Sequence, residues 1–394
     1  MLKSGHLAAA AALSIVVAAI YGTIAWGMFA TSVDFQRHMI YAERLYGSGR
    51  PPVPHFLFHA LTAALFASHL APSLVTAGRL VLVVCYVLIG LVTYAVLWSV
   101  FRDTRIGSPG ILLLASLAAL MAEPITLSHA YQVGYFWPEP FGIPTSTVLK
   151  PFALACFGFT AWYLFRGKRV DWRMVSRFAL VTLAGALSKP SFIICILPAS
   201  ALLLAHRLLR RLPVSFSALL AGLYIPAAAV LAWQFYASYS GHAAGGMYAD
   251  SIVWAPFKFL RNWTAGLLPK FLLSLVFPLA VAILYGKQAR RDGMLQLAWP
   301  CFLIGIFYSY FLAEKHNWAD GNFVWSGYIT LFTLFVASIA YWLRQADGPR
   351  TRFVICAAAL GLHVLSGARI DWLYLTHYGC KVDFRLANFV CKGP

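Results

Sequence analysis

Between Leu7 and Ala30 the chain carries no charged side chain, and similar apolar runs recur almost to its C-terminal end. About 20 apolar residues are what a helix needs to cross the roughly 30 Å hydrocarbon core of a bilayer. The repetition of such runs points to the bilayer as the solvent of this chain. Composition agrees: 61% of residues are hydrophobic and 11% are charged, against about 25% charged in a soluble domain. The first run exceeds the apolar segment of a secretory signal, about 7–15 residues, and no convincing cleavage site flanks it. It reads as a retained first span.

The formal net charge of +18 would suit a nucleic-acid partner if the cations shared one face. Instead they fall in short loops between apolar runs: Arg102 and Arg105; Arg166, Lys168, Arg169 and Arg173; Arg207, Arg210 and Arg211; Lys287, Arg290 and Arg291; Arg344, Arg350 and Arg352. Short basic loops mark the cytoplasmic side of a membrane protein, and with no basic face on a soluble domain nucleic acid is excluded as a partner. Keeping every basic loop inside gives about 11 crossings. The N-terminus is then cytoplasmic and the tail, residues 369–394, lies outside. Two segments shape that count. Residues 55–70 are apolar but short, and a crossing there would put the Arg102 loop on the wrong side; they are expected as a helix lying in the outer interface. Residues 174–205 lie between two basic loops and must cross twice. They are expected to break at Lys189-Pro190, because proline disfavours helical geometry in the residue before it. The fold class expected is all-α and polytopic, with the interfacial helix in the first outer loop.

This threading sorts the carboxylates. Of the 13 in the chain, only Asp103, Asp171, Asp292 and Asp347 fall in basic inner loops, so proton-transfer chemistry is expected on the outer side. Cys85, Cys156, Cys195, Cys301 and Cys356 lie in apolar spans and suit packing as small hydrophobes. Cys380 and Cys391 share the outer tail, where an oxidising compartment permits a disulfide. No Cys/His spacing matches a zinc site. The outer carboxylates leave a divalent metal open, without a dedicated cage.

The candidate functional residues gather at the outer border. Asp34 directly follows the first span, and a carboxylate there can serve as general base on an acceptor hydroxyl or amine. A helix N-cap at Ser32 or Asp34 would explain the same residues. Arg37, His38 and His55 share its loop. Lys189, inside a long apolar stretch, costs a few kcal/mol unless it reaches water or a partner. At an outward hinge it can neutralise a phosphate as a point charge, or it can snorkel to the interface. Lys150 and Arg79 are further cations at the same border. Glu314, His316 and Asp320, flanked by Trp318 and Trp325, suit a sugar-binding rim as well as an interfacial aromatic anchor. Glu139 belongs to a second outer loop, 123–145, of similar make-up.

Taken in order, these parts resemble the GT-C class of membrane glycosyltransferases, which use lipid-phosphate-linked sugars at the outer face of the membrane. The resemblance covers mainly residues 1–211 and includes the aminoarabinose and mannosyl transferases. A first span is followed by an acid, here Asp34. Prolines precede an interfacial helix, here RPPVPHFLFHALTAAL, and an early arginine, Arg79, opens the next span. The segment LAGALSKPSFIICILP is similar to a Leu-Thr-Lys-Gly-Pro segment whose lysine, in that class, lies by the carrier-lipid phosphate; that position is Lys189. Two departures stand out. Asp34 is single, with Phe35 beside it, where many members carry a pair of acids. Pro190 and Ser191 follow the lysine in place of glycine.

The resemblance implies a GT-C-like module over residues 1–211, with additional transmembrane helices over 212–368. It implies a glycosyltransferase of the bacterial inner membrane, moving a sugar from a polyprenyl-phosphate donor to an envelope glycan or lipid acceptor. Asp34 would take the acceptor proton, and Lys189, Arg79 and Lys150 would hold the donor phosphate. His38, His55, Glu139, Glu314, His316 and Asp320 would shape the sugar and acceptor sites. A glycan polymerase or ligase would run the same reaction on a larger acceptor. The rival of a different class is a lipid-linked-glycan transporter or flippase. Transporters commonly show internal repeats and polar breaks near the bilayer midplane, and this sequence shows neither.

Overall fold

The computed structural model describes residues 4–28, 32–101, 104–126, 143–166, 170–239, 251–263, 266–377, 381–383 and 388–390. In chain order the helices are α1 (Ser4–Val17), α2 (Thr23–Met28), α3 (Val33–Ser48), α4 (Leu57–Ala67), α5 (Leu74–Phe101), α6 (Pro109–Met121), α7 (Pro144–Phe165), α8 (Trp172–Ser188), α9 (Ile193–Leu209), α10 (Phe216–Leu219), α11 (Ile225–Tyr239), α12 (Lys258–Trp263), α13 (Leu267–Ser274), α14 (Val276–Ala289), α15 (Gly293–Phe311), α16 (Trp325–Leu343) and α17 (Arg350–Thr376). Single π-helical turns join α1 to α2 and α10 to α11. Two short antiparallel pairs complete the described chain, β1 (Ile252–Trp254) with β2 (Leu312–Glu314) and β3 (Lys381–Asp383) with β4 (Asn388–Val390).

The architecture is that of an all-α polytopic membrane protein. Among the described residues, 7 helical stretches are long and apolar enough to cross a bilayer, and an eighth qualifies if α13 and α14, bent by 66° at their junction, count as one span. The other three expected crossings fall on short helices: α6 has 13 residues and α8 and α9 have 17 each. At 1.5 Å per residue these reach about 20 and 26 Å, short of the roughly 30 Å core. Charge sorting counts loops, and it is blind to helix length. With 11 residues, α4 is about 17 Å long and too short to cross.

The centre of the bundle is α16. Its apolar window is 89% buried, which suits a helix hydrophobic on all sides and surrounded by protein. Its closest neighbour is α15, and Gly305 permits the approach. A Cβ there would stand 2.7 Å from the Ser326 carbonyl oxygen and would also clash with Thr330 Oγ1. The hydroxyl of Ser309 accepts from the Gly327 N–H at 3.0 Å, so the two helices are joined by a polar bond inside an apolar core. A second close approach ties the exit of α6 to α17. His363 Nδ1 lies 2.6 Å from the Glu123 carbonyl oxygen, and Ser366 Oγ donates to that of Pro124, also at 2.6 Å. Any Cβ on Gly367 would collide with the Met121 carbonyl.

The two ends of α16 mark two chemically different ends of the molecule. At Arg344 the bundle gathers arginines. Arg344 Nη2 meets Asp292 Oδ2 at 2.6 Å, while Asp292 Oδ1 caps α15 by accepting from Leu295 N. Nearby, Arg207 lies 4.9 Å from the Phe165 ring and donates to the Pro213 carbonyl. The opposite end, at Trp325, holds the acids, histidines and Lys189. With 19 residues, α16 separates these ends by about 28 Å.

Candidate active site

The site is assembled from four parts of the chain. Ser32 caps α3, accepting from Phe35 N at 3.4 Å, and Gly49 (φ 66°) ends the helix in the left-handed conformation. Because Ser32 is the cap, Asp34 is released from that role and sits in the first turn, where the helix dipole favours a carboxylate. Phe35, His38, Met39 and Ala42 form the buried face of α3, at the 3–4 residue spacing of an inward stripe. Gly78 of α5 admits the Phe35 and Met39 side chains.

That stripe brings His38 against α4, whose buried residues are Phe58, His59, Thr62 and Ala63. His38 Nδ1 and His59 Nε2 are 2.8 Å apart, with the rings stacked at 5.1 Å and 24°. On its other side, His38 Nε2 lies 3.7 Å from Asp34 Oδ2. This Asp34 oxygen is buried and takes no hydrogen bond among the described residues, although the side chain as a whole remains 36% exposed. One carboxyl oxygen faces inward and the other is open.

The third part is the break between α8 and α9. Helix α8 ends at Ser188, and Lys189 is extended (φ −168°, ψ 132°), as a residue preceding proline should be. Lys189 is buried, and its Nζ lies 5.5 Å from the centroid of the Trp325 ring. The fourth part is the β2–α16 connection. There Glu314 Oε2 accepts from Asn322 Nδ2 at 2.7 Å, and Asp320 Oδ1 faces Arg37 Nη1 at 3.6 Å with both side chains about half exposed.

The charges of these parts act on one another. Burial pushes the Asp34 carboxyl above the ordinary carboxylate range; Lys189 and Arg37 pull it down, and Asp320 adds to the rise. Burial lowers the Lys189 ammonium to about 8, against the opposing pull of Asp34, Glu314 and Asp320. His38 is held well below the usual imidazole range by burial first, then by His59, His55, Lys189 and Arg37. His55 is lowered by burial, by Lys189 and by His59. Burial thus favours the neutral form of the imidazoles that lie beside Asp34 and Lys189.

Of the residues singled out in the sequence, the fold therefore unites Asp34, His38, His55, Lys189, Glu314 and Asp320. Three others are placed by different contacts or exposure. Arg79 lies over Trp26, its Cζ 5.2 Å from the ring. Lys150, buried in α7, points its Nζ at the Phe332 ring, 6.0 Å away and two turns along α16 from Trp325. His316 is exposed in the turn beyond β2. Glu139 and the Cys380–Cys391 pair lie outside the described residues. Among the described residues no three His, Cys, Asp or Glu side chains group as metal ligands.

Two participants were not singled out in the sequence. His59 belongs in the sequence to the same polar stretch as Asp34, His38 and His55, but nothing there gives it a role. Gln234 of α11 is the other. It is buried, and its Nε2 donates to the Pro54 carbonyl at 3.2 Å and to the Ala186 carbonyl at 2.8 Å. One amide thus fixes the residue beside His55 to the turn of α8 that leads into Lys189. The only signal for it is a lone amide in an apolar run.

Comparison with known protein families, characterised proteins and solved structures finds no match for this chain. Its chemistry must be argued from the site. A half-open carboxylate of raised basicity, set beside a buried cation and a rim of acids and indoles, can remove a proton from a bound hydroxyl while the cation holds an anion next to it.

Proposed function

We propose that the protein is a GT-C-like glycosyltransferase of the bacterial inner membrane. In this reading it transfers a sugar from a polyprenyl-phosphate donor to an envelope glycan or lipid acceptor at the outer face. The observation that carries the reading is the mutual electrostatic influence of Asp34 and Lys189, two residues brought from distant parts of the sequence to one end of a bundle of membrane-length helices. In the orientation given by the basic loops, that end faces outward. The 11 crossings and the interfacial lie of α4 belong to the same reading.

The reaction breaks the bond between the anomeric carbon and the phosphate oxygen and forms one to the acceptor oxygen. Asp34 takes the acceptor proton in that step, and its elevated basicity suits the role. The departing phosphate gains charge. Lys189 is placed to stabilise it as a preorganised cation in a poorly solvated site, its ammonium held in place by the Trp325 ring. Direct attack inverts the anomeric configuration. Glu314 and Asp320, with the indoles of Trp318 and Trp325, form the rim on which the sugar hydroxyls are held. Arg79 lies over Trp26 and Lys150 faces the Phe332 ring, and their part in phosphate binding requires that the donor extend toward them.

The test is sugar release by the purified protein, reconstituted in lipid, from a panel of polyprenyl-phosphate sugars with and without candidate acceptors. Release that depends on both Asp34 and Lys189 supports the reading. No release from any polyprenyl-phosphate donor, with the protein folded, ends it.

A further inference from the structure

The imidazole pair is unused by the mechanism above, and its geometry points to a task. His38 lies between Asp34 and His59, presenting one ring nitrogen to each: 3.7 Å from Nε2 to the carboxyl oxygen and 2.8 Å from Nδ1 to His59 Nε2. The second contact is a full hydrogen bond between two buried rings. The first is longer than a hydrogen bond, but contacts of this kind commonly tighten when substrate binds. At the far end His59 Nδ1 is buried and has no hydrogen-bond partner among the described residues; one turn along α4, Thr62 Oγ1 is in the same condition. A buried polar atom left unpaired costs about 1–3 kcal/mol, and these two lie one turn apart on α4. Paired buried polar atoms of this sort are where proteins hold ordered water.

We propose that His38 and His59 are positioning residues forming a proton relay that carries the acceptor's proton away from Asp34 towards Thr62. The proposal rests on the glycosyltransferase reading and extends it. In the starting state Asp34 is ionised and each neutral imidazole carries its proton on Nδ1. Asp34 removes the hydroxyl proton as the acceptor oxygen bonds to the anomeric carbon. That proton passes to His38 Nε2, the His38 Nδ1 proton passes to His59 Nε2, and the His59 Nδ1 proton leaves to water. One proton enters and one leaves, Asp34 is ionised again, and both rings end as the other neutral tautomer, which ring rotation or proton return through water resets before the next turnover. No imidazolium accumulates.

The surroundings suit a relay that works only when the site is loaded. The charged groups facing the pair are Asp34, Lys189 and Arg37, with His55 beside them. Tyr41 and Phe58 pack edge-on against both rings and shield them from solvent. Lys189 and Arg37 oppose a further proton on His38. A donor phosphate against Lys189 would offset that opposition, so the path would open when the leaving group is in place.

Two measurements test this. The first needs no turnover: ring-15N spectra of the lipid-reconstituted protein report which nitrogen of each imidazole is protonated. Replacing Asp34→Asn should change the protonated nitrogen of His59, a residue it does not touch, through His38. Unchanged His59 spectra in that variant would overturn the relay, whatever the fate of the glycosyltransferase reading. The second is kinetic. His38→Ala should lower kcat by about tenfold to a hundredfold with KM little altered, and added imidazole should restore turnover in proportion to its free-base concentration. His59→Asn should lower kcat similarly and flatten the pH profile. Wild-type protein that turns over, with His38→Ala matching it or indifferent to imidazole, would reject the relay while leaving the functional reading intact.

Discussion

The two ends of α16 differ in how they treat charge, and that difference separates orientation from chemistry. At the Arg344 end charge is abundant and mostly solvated. Arg210, Arg211, Arg290 and Arg291 are exposed, and Arg207 donates to the Pro213 carbonyl and lies over the Phe165 ring. At the Trp325 end a buried cation lies among acids and imidazoles, and each group alters the next: Lys189 acts on Asp34, His38 and His55, and three carboxylates act on Lys189. Exposed ion pairs contribute about 0–1 kcal/mol, whereas buried ones shift protonation and hold geometry. In the proposed reading the basic loops set the orientation of the chain and the Trp325 end carries its chemistry.

The largest test of this contrast is Asp34→Asn. The amide keeps the shape and removes the base, so sugar release is expected to fall by at least about 10²–10⁴-fold, with expression and thermal stability held. Retained turnover in that variant would remove Asp34 from the mechanism and with it the special status of this end.

Lys189 comes next. Lys189→Gln should lower kcat/KM for a phosphate-linked donor by about a hundredfold, the scale seen when one preorganised donor is lost. The accompanying pH dependence has a definite sign. Asp34 works ionised, so activity rises as pH climbs through its elevated pKa. Lys189 works as the ammonium, so donor binding declines as pH rises through about 8. The profile of kcat/KM should be a bell with its alkaline limb near 8. In Lys189→Arg, whose guanidinium stays charged throughout this range, that limb should disappear even if the rate is reduced. An unmoved alkaline limb in the Arg variant would assign it to another group.

How much of this is legible in the sequence depends on what an apolar chain makes conspicuous. Asp34, Lys189, Glu314 and Asp320 stand out because each is costly in hydrocarbon. The break at Lys189-Pro190 follows from local backbone sterics. Length was less visible: the positive-inside pattern demands passes through 109–122 and 174–205 without requiring that α6, α8 or α9 be long. Two of the neutral partners were not given a role. His59 and Gln234 carry no charge and sit in apolar helices, so only the tertiary contacts with His38, Pro54 and Ala186 give them a role. Arg79 shows the converse, a conspicuous cation that the fold turns onto Trp26.

At the basic end the expected effects are on folding. Arg344→Ala removes a half-buried partner from Asp292 while leaving that carboxylate as the cap of α15. A loss of about 1–3 kcal/mol in unfolding free energy is expected, the range for a charge-assisted hydrogen bond. Turnover per folded molecule should stay within about twofold, because the pair lies roughly 28 Å from Trp325 along α16. A hundredfold fall in turnover would mean that the two ends are coupled and that the division drawn above is false.

The smallest effect is expected at Arg211, and it separates two reasons for an arginine. Arg211 follows the end of α9 with φ 53°. Its N–H bonds the Leu208 carbonyl at 3.0 Å, and the Leu212 N–H bonds that of Arg207 at 2.8 Å. This is the left-handed turn in which helices usually place glycine, and a non-glycine residue there costs on the order of 1 kcal/mol. Backbone geometry thus favours Arg211→Gly, offset by the greater freedom of glycine in the unfolded chain. The net change should fall within about 0.5 kcal/mol, read by thermal unfolding in lipid, because the two terms nearly cancel. In the proposed orientation the arginine supplies charge on the inner side, so labelling of the two faces should become less uniform as Arg207, Arg210 and Arg211 are removed together, while Arg211→Gly alone leaves it unchanged. If the single substitution inverted the protein or silenced the site, charge at this end would be specific, and the asymmetry between a solvated end and a reacting end would have to be abandoned.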